Sequence, residues 1–154
     1  MRHVTDEQRR RLLGVRHHLA TRSDHLVAVA GDLCGLHSSD AATVVLTSRA
    51  RVAGFTVADA ERALYEDRTL ARVLLARRTL FVVPTDDVAT FHAATTRALY
   101  EPQRRRALGL LSGEGGVVAE EEAETWLARV EAATLDALHD RGEATATELT
   151  EDVP

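Results

Sequence analysis

The sequence predicts a mainly helical fold carrying one small β element, and three observations predict it. Apolar residues recur at helical spacing along most of the chain, and polar capping residues stand before several of those runs. A single β-branched stretch, Arg78-Thr-Leu-Phe-Val-Val83, breaks the helical period and stops at Pro84. With 154 residues, 45% of them apolar and 28% charged, the chain is long enough to bury a core as one domain or a little more. Aromatic residues at 4% argue against stacking platforms for single-stranded nucleic acid. The one cysteine, Cys34, lies on an apolar face and is expected to be a small buried side chain. The N-terminus is polar and no apolar run reaches membrane-spanning length, so a cytoplasmic location without a membrane partner is expected.

Taken in order, Thr5-Asp-Glu-Gln8 is a capping box that opens a helix to about Ala20. Leu12, Val15 and Leu19 share one face of it, and Arg9, Arg10 and Arg11 surround the other. His17 and His18 are adjacent, hence about 100° apart on a helix, so no metal site is expected from this histidine-rich segment. Asp24 to Cys34 has helical spacing at Leu26, Val27, Ala30 and Leu33, and Gly35 suits the left-handed residue that closes it. Gly35 to Asp40 is a short polar break whose Ser38 or Ser39 is expected to cap a helix over Ala41 to Arg51. Thr56, helped by Asp59, caps Val57 to Tyr65. Asp67 then caps a helix over Arg68 to Arg77, with Leu70, Val73 and Leu74 inward and Arg68, Thr69 and Arg72 opposite.

Helix, turn, second helix and strand is the order of a winged helix-turn-helix. That architecture places Arg68, Thr69 and Arg72 on the helix that enters a DNA major groove, with Arg77 and Arg78 at the root of the wing. Beyond it, Thr85-Asp86-Asp87 caps a helix to about Leu99, and Pro102 starts another whose Arg104, Arg105 and Arg106 form the densest basic cluster. Ser112-Gly-Glu-Gly-Gly116 is a break. A long helix from Ala119 to about Asp140 follows, with Trp126, Leu127, Val130, Leu135 and Leu138 inward, and Thr145 to Glu148 is a further capping box. The expected organisation is a winged-helix domain over 1–111, a linker over 112–118, and the first helices of a second winged helix over 119–154, the chain reading as an N-terminal fragment.

The net charge of −5 hides an asymmetry. Residues 1–111 carry 17 Arg against 12 Asp and Glu, whereas residues 112–154 carry 2 Arg against 12 acids. An anion-binding part joined to a solvating part is the physical reading. Every basic side chain is Arg, which suits bidentate phosphate contacts. The overall acidity and the long Ala119–Asp140 helix also fit a helical protein–protein interaction domain, which would have no DNA affinity.

The segments Gly35-Leu-His-Ser-Ser-Asp40, Ser48-Arg-Ala-Arg51, Ala58-Asp-Ala-Glu-Arg-Ala-Leu-Tyr65, Asp67-Arg-Thr-Leu-Ala-Arg72 and Arg78-Thr-Leu-Phe-Val-Val-Pro84 together resemble one family. It is the winged-helix DNA-binding family that includes the AlkZ- and YcaQ-type bacterial DNA glycosylases. The likeness runs from about Arg9 onward and is most specific over Asp67 to Pro84. It implies tandem winged helices cradling double-stranded DNA, no cofactor, and excision of bulky or cationic N-alkylated purines. The family's catalytic motif reads Gln-x-Gln, or Gln-x-Asp, directly after a Gly-Leu or Gly-Val pair, and here those positions are His37 and Ser39.

A histidine can serve where the glutamine stood. The glycosidic bond breaks through an oxocarbenium-like sugar, and a purine alkylated at N3 or N7 already carries positive charge, so it departs without a strong general acid. The protein must position a water at the sugar carbon. An amide orients that water; an imidazole, with an ordinary pKa of ~6.5, orients it and also accepts its proton. Ser39 supplies a second hydrogen bond. The competing expectation is a non-catalytic winged-helix binder such as a transcription regulator, in which Gly35–Asp40 is only a turn.

Overall fold

The computed structural model describes residues 4–153. Two compact units divide the chain, Met1–Leu99 and Tyr100–Pro154. The chain is mainly helical with one small antiparallel sheet.

In the first unit, α1 (Asp6–Arg16) starts at the predicted capping box, the Thr5 hydroxyl accepting from the Gln8 N–H and the Gln8 side chain from the Thr5 N–H. No residue of α1 is buried, and Leu12, Val15 and Leu19 all lie about half exposed or more. The segment α2 (Leu26–Asp32) buries Leu26, Val29 and Ala30. Its exit is left-handed at Cys34 (φ 54°) and Gly35 (φ 107°), and this turn leaves Cys34 exposed rather than buried as the apolar spacing suggested. Leu36 and His37 then form the two-residue strand β1 where the sequence reads as a plain turn. The helix α3 (Ala41–Arg51) has the predicted bounds, but its cap is Asp40, which accepts from the Ala42 N–H at 2.8 Å, rather than Ser38 or Ser39. The serines are displaced from capping because Ser38 is drawn into the sheet, its N–H donating to the Leu80 carbonyl.

Thr56 and Asp59 cap α4 (Val57–Glu61), which widens into a π turn over Arg62–Glu66. The expected helix over Arg68–Arg77 is absent. In its place stands β2 (Leu70–Leu74), paired residue for residue with β3 (Leu80–Pro84) from Leu70↔Pro84 to Leu74↔Leu80. Leu70, Val73 and Leu74 fit helical spacing, yet the apolar run of β3 lies close by in sequence and offers a full ladder of hydrogen bonds that a helix would leave unpaired. Pairing of β1 on the other edge of β3 completes a three-stranded sheet of order β1-β3-β2.

The hairpin turns at Arg77 and Arg78, both left-handed (φ 55° and 62°), with the Thr79 N–H donating to the Ala76 carbonyl. Positive φ at both central residues is the habit of type I′ hairpin turns, which favour Asn-Gly. Leu26, Val29, Ala30, Leu36, Val44, Val52, Ala60, Ala63, Leu70 and Val82 form the core between these helices and the sheet. After β3 the chain passes through α5 (Val88–Phe91) and irregular helical turns to Leu99.

In the second unit, α6 (Tyr100–Ser112) and α7 (Glu120–Arg141) are joined by a bonded turn: Gly113 N–H to Gly109, Gly116 N–H to Gly113, and Val118 N–H to Leu111. The expected 112–118 linker is this turn, inside one compact unit. Ala123 is buried on α7, whereas Leu135 and Leu138 are exposed instead of inward. The capping box at Thr145 and Glu148 opens α8 (Ala146–Asp152), held to α7 by Arg141, whose Nη2 lies 2.9 Å from Asp152.

Hydrogen bonding to Arg141 holds the Asp152 carboxyl below its usual pKa, and the Thr145 hydroxyl does the same for Glu148. A depressed folded-state pKa means this stabilisation is complete above the ordinary carboxylate range, near pH ~4, and is lost as pH falls through the lower folded value. Acid titration followed by hydrogen exchange is therefore expected to open α8 below about pH 4, whereas Asp152→Asn should leave the α8 amides weakly protected already at neutral pH. No helix among the described residues is long and apolar enough to cross a membrane.

Candidate active site

Gly35 to Asp40 leaves α2, runs one short strand, and enters α3, so its side chains alternate between the core and the surface. Leu36 and Ser38 are both 1% exposed. His37 and Ser39, two apart on the outward side, are exposed, and Ser39 Oγ lies 3.4 Å from His37 Nε2. The His37 ring stands edge-on to Phe81, its cross-strand partner, with centroids 5.3 Å apart at 88°. An aromatic edge-to-face contact limits the swing of the imidazole.

Behind this pair the backbone is pinned. The Ser38 N–H donates to the Leu80 carbonyl at 2.8 Å. From β2, Arg72 reaches across the central strand: Nε donates to Ser38 Oγ at 3.3 Å and Nη2 to the Ser38 carbonyl at 2.7 Å. The Asp40 cap holds the next residue. An exposed imidazole and hydroxyl on a rigid backing can share one water between them, the imidazole accepting its proton. A cavity of about 620 Å³, lined by Asp24, His25, Asp59, Arg62 and Asp67 among others, opens at the opposite end of α2, and neither His37 nor Ser39 lines it. Among the described residues, no three His, Cys, Asp or Glu side chains are placed to hold a metal ion, and His18 is turned to Asp32 at 2.7 Å.

Arg68, Thr69 and Arg72, expected on one groove-facing helix, and Arg77 and Arg78, expected at the root of the wing, are spread along a hairpin instead. Arg68 and Thr69 lie at its base, tied to Thr85 through the Arg68 carbonyl (2.6 Å) and the Thr69 carbonyl (3.0 Å). Arg72 stands mid-strand and points to Ser38; Arg77 and Arg78 are exposed at the tip. In the second unit Arg105 and Arg106 are exposed, whereas Arg104 is half-buried. Its side chain is 15% exposed, and its guanidinium is clamped by Glu124 (2.8 Å) and Glu131 (2.9 Å), which joins α6 to α7. Hydrogen bonding to Glu124, then to Glu131, raises its pKa further above the ordinary guanidinium range.

The family model for DNA glycosylase AlkZ-like proteins matches residues 30–154, most of the chain, and takes in all of Gly35–Asp40. The chain belongs to the AlkZ-like DNA glycosylase family. No curated protein and no solved structure matches it. Membership of the AlkZ-like family carries a DNA glycosylase-related function and DNA repair, with DNA as the indicated partner.

In this AlkZ-like chain, sequence reasoning missed three supports of the His37–Ser39 pair. Asp40 could have been found, since it directly precedes the helical run and is a preferred cap. Ser38 and Phe81 carry no such signal, because one is set by burial and the other by strand register.

Proposed function

We propose that this AlkZ-like chain binds duplex DNA through a winged helix-turn-helix and hydrolyses the N-glycosidic bond of bulky or cationic N-alkylated purines. The order α2, β1, α3, α4, β2, β3 with sheet order β1-β3-β2 supports that architecture. In this reading the groove-facing helix is Val57–Glu66, with Arg62 and Tyr65 exposed on it, and the wing is the β2–β3 hairpin with Arg77 and Arg78 at its tip. Arg68 and Thr69 flank the wing base, and Arg105 and Arg106 supply further cations.

The observation that carries the reading is the 3.4 Å approach of Ser39 to His37 in a segment that a glycosylase family model covers. A water held by both attacks the sugar C1′ as the C1′–N bond breaks. The purine leaves with that bond's electron pair, neutralising its own positive charge, while His37 takes the water's proton.

The test is base release from a duplex carrying 7-methylguanine, run beside a mobility shift of plain and alkylated duplex at two salt concentrations. Release from the alkylated strand supports the reading. Absence of release for this and a bulkier N7 adduct, with undamaged duplex bound sequence-selectively, supports a second reading, a non-catalytic winged-helix binder. That alternative is favoured by the Asp40 cap and the Ser38 bonds, which make Gly35–Asp40 a complete turn without any ligand.

The wing tip gives a separate prediction. Two non-glycine residues in left-handed conformation cost roughly 1–2 kcal/mol each. Arg77→Asn with Arg78→Gly is therefore expected to stabilise the fold by about 1 kcal/mol in urea denaturation. The same change should lower the slope of log affinity against log salt by roughly 2, since two phosphate contacts are lost.

A further inference from the structure

We propose that Arg72 is a positioning residue for the His37–Ser39 pair, acting through the buried Ser38, and not a DNA phosphate contact. This rests on the glycosylase reading only for its catalytic consequence; the positioning itself stands on geometry. Arg72 and Leu36 both pair with Val82, from opposite edges of the central strand. From that place the arginine reaches diagonally across β3 to the residue two beyond Leu36.

Its two donors take the two acceptors of one residue, Ser38 Oγ and the Ser38 carbonyl. The carbonyl belongs to the peptide that joins Ser38 to Ser39, and the Ser38 N–H, on the peptide from His37, is held by Leu80. Both peptides between the two outward side chains are thereby fixed. A charge-assisted bond of 2.7 Å is strong enough to hold a two-residue strand that has few ladder bonds of its own. Lysine has no planar fork and cannot reproduce this grip.

The experiment compares the intact chain with Arg72→Lys, Arg72→Gln and Ser38→Ala. Expected first is a change in the His37 ring proton resonances, which feel the Phe81 ring current, in all three variants. The methyl resonances of Val29 and Val83 should stay in place, showing an unchanged core. Second, the salt slope and affinity for plain duplex should be unaltered. Third, single-turnover base release should fall by on the order of 10²-fold in Arg72→Gln without rescue by Arg72→Lys. Unmoved His37 resonances, or a salt slope lowered by about 1 in Arg72→Gln and restored in Arg72→Lys, would overturn the proposal. If the intact chain releases no base, the glycosylase reading fails, while the resonance and salt measurements still decide the role of Arg72.

Discussion

Gly35→Ala is expected to lower the thermal unfolding midpoint by about 10 °C or more. Gly35 has φ 107°, well beyond the φ of about 50–70° that side-chain-bearing residues adopt within the left-handed region, so a side chain there is strained by roughly 1–3 kcal/mol. A Cβ would also stand 3.0 Å from Val83 Cγ1 and 3.3 Å from Phe81 Cβ. Val83 is fully buried in the central strand, so it has little room to yield. In a unit of about this size each kcal/mol moves the midpoint by roughly 4–8 °C. Gly54→Ala is the control: it has φ 64°, a Cβ there would meet nothing within 4 Å, and only the backbone cost applies. Calorimetry should rank Gly35→Ala well below Gly54→Ala. Equal midpoints would mean that the exit from α2 relaxes freely, and the alignment of β1 would then not depend on this glycine.

His37→Ala is expected to abolish most base release, by on the order of 10²–10⁴-fold, with duplex affinity unchanged. The informative partner is His37→Gln. An amide orients a water through one hydrogen bond, although it cannot accept the proton. Departure of a cationic purine asks little of the base, so His37→Gln should retain most of the rate on 7-methylguanine. Loss of activity in Ala with retention in Gln would identify water positioning as the contribution of His37. Equal loss in both would assign it proton acceptance instead, and equal retention in both would remove His37 from the chemistry.

Much of the helical frame was legible locally. The capping boxes at Thr5, Thr56 and Thr145 lie where the sequence puts them, because a hydroxyl three residues ahead of a Gln, Asp or Glu closes a bonding ring within one turn. The bounds of α3 follow from the same locality. The stretch Asp67–Arg77 was not legible. Its apolar spacing suits a helix and a strand equally, and its hairpin turn, Arg77-Arg78, carries neither Gly nor Asn to announce itself. The error moved Arg68, Thr69 and Arg72 off a shared helix face at once: the first two precede β2 at the base of the hairpin, and Arg72 sits within the strand.

By itself, then, the sequence determined the mainly helical class and the caps, which depend on contacts within a few residues, and the family resemblance, most specific over Asp67–Pro84. Tertiary structure alone decided that Leu36 and His37 pair with Val82 and Phe81, that Arg72 serves Ser38, and that Arg104 serves Glu124 and Glu131. Those partners stand from 20 residues apart in the chain (Arg104 and Glu124) to 46 (Leu36 and Val82), and no local pattern encodes them. An arginine reads alike in sequence whether it awaits a phosphate or already holds a carboxylate or a carbonyl; only the folded chain brings its acceptor within hydrogen-bonding reach.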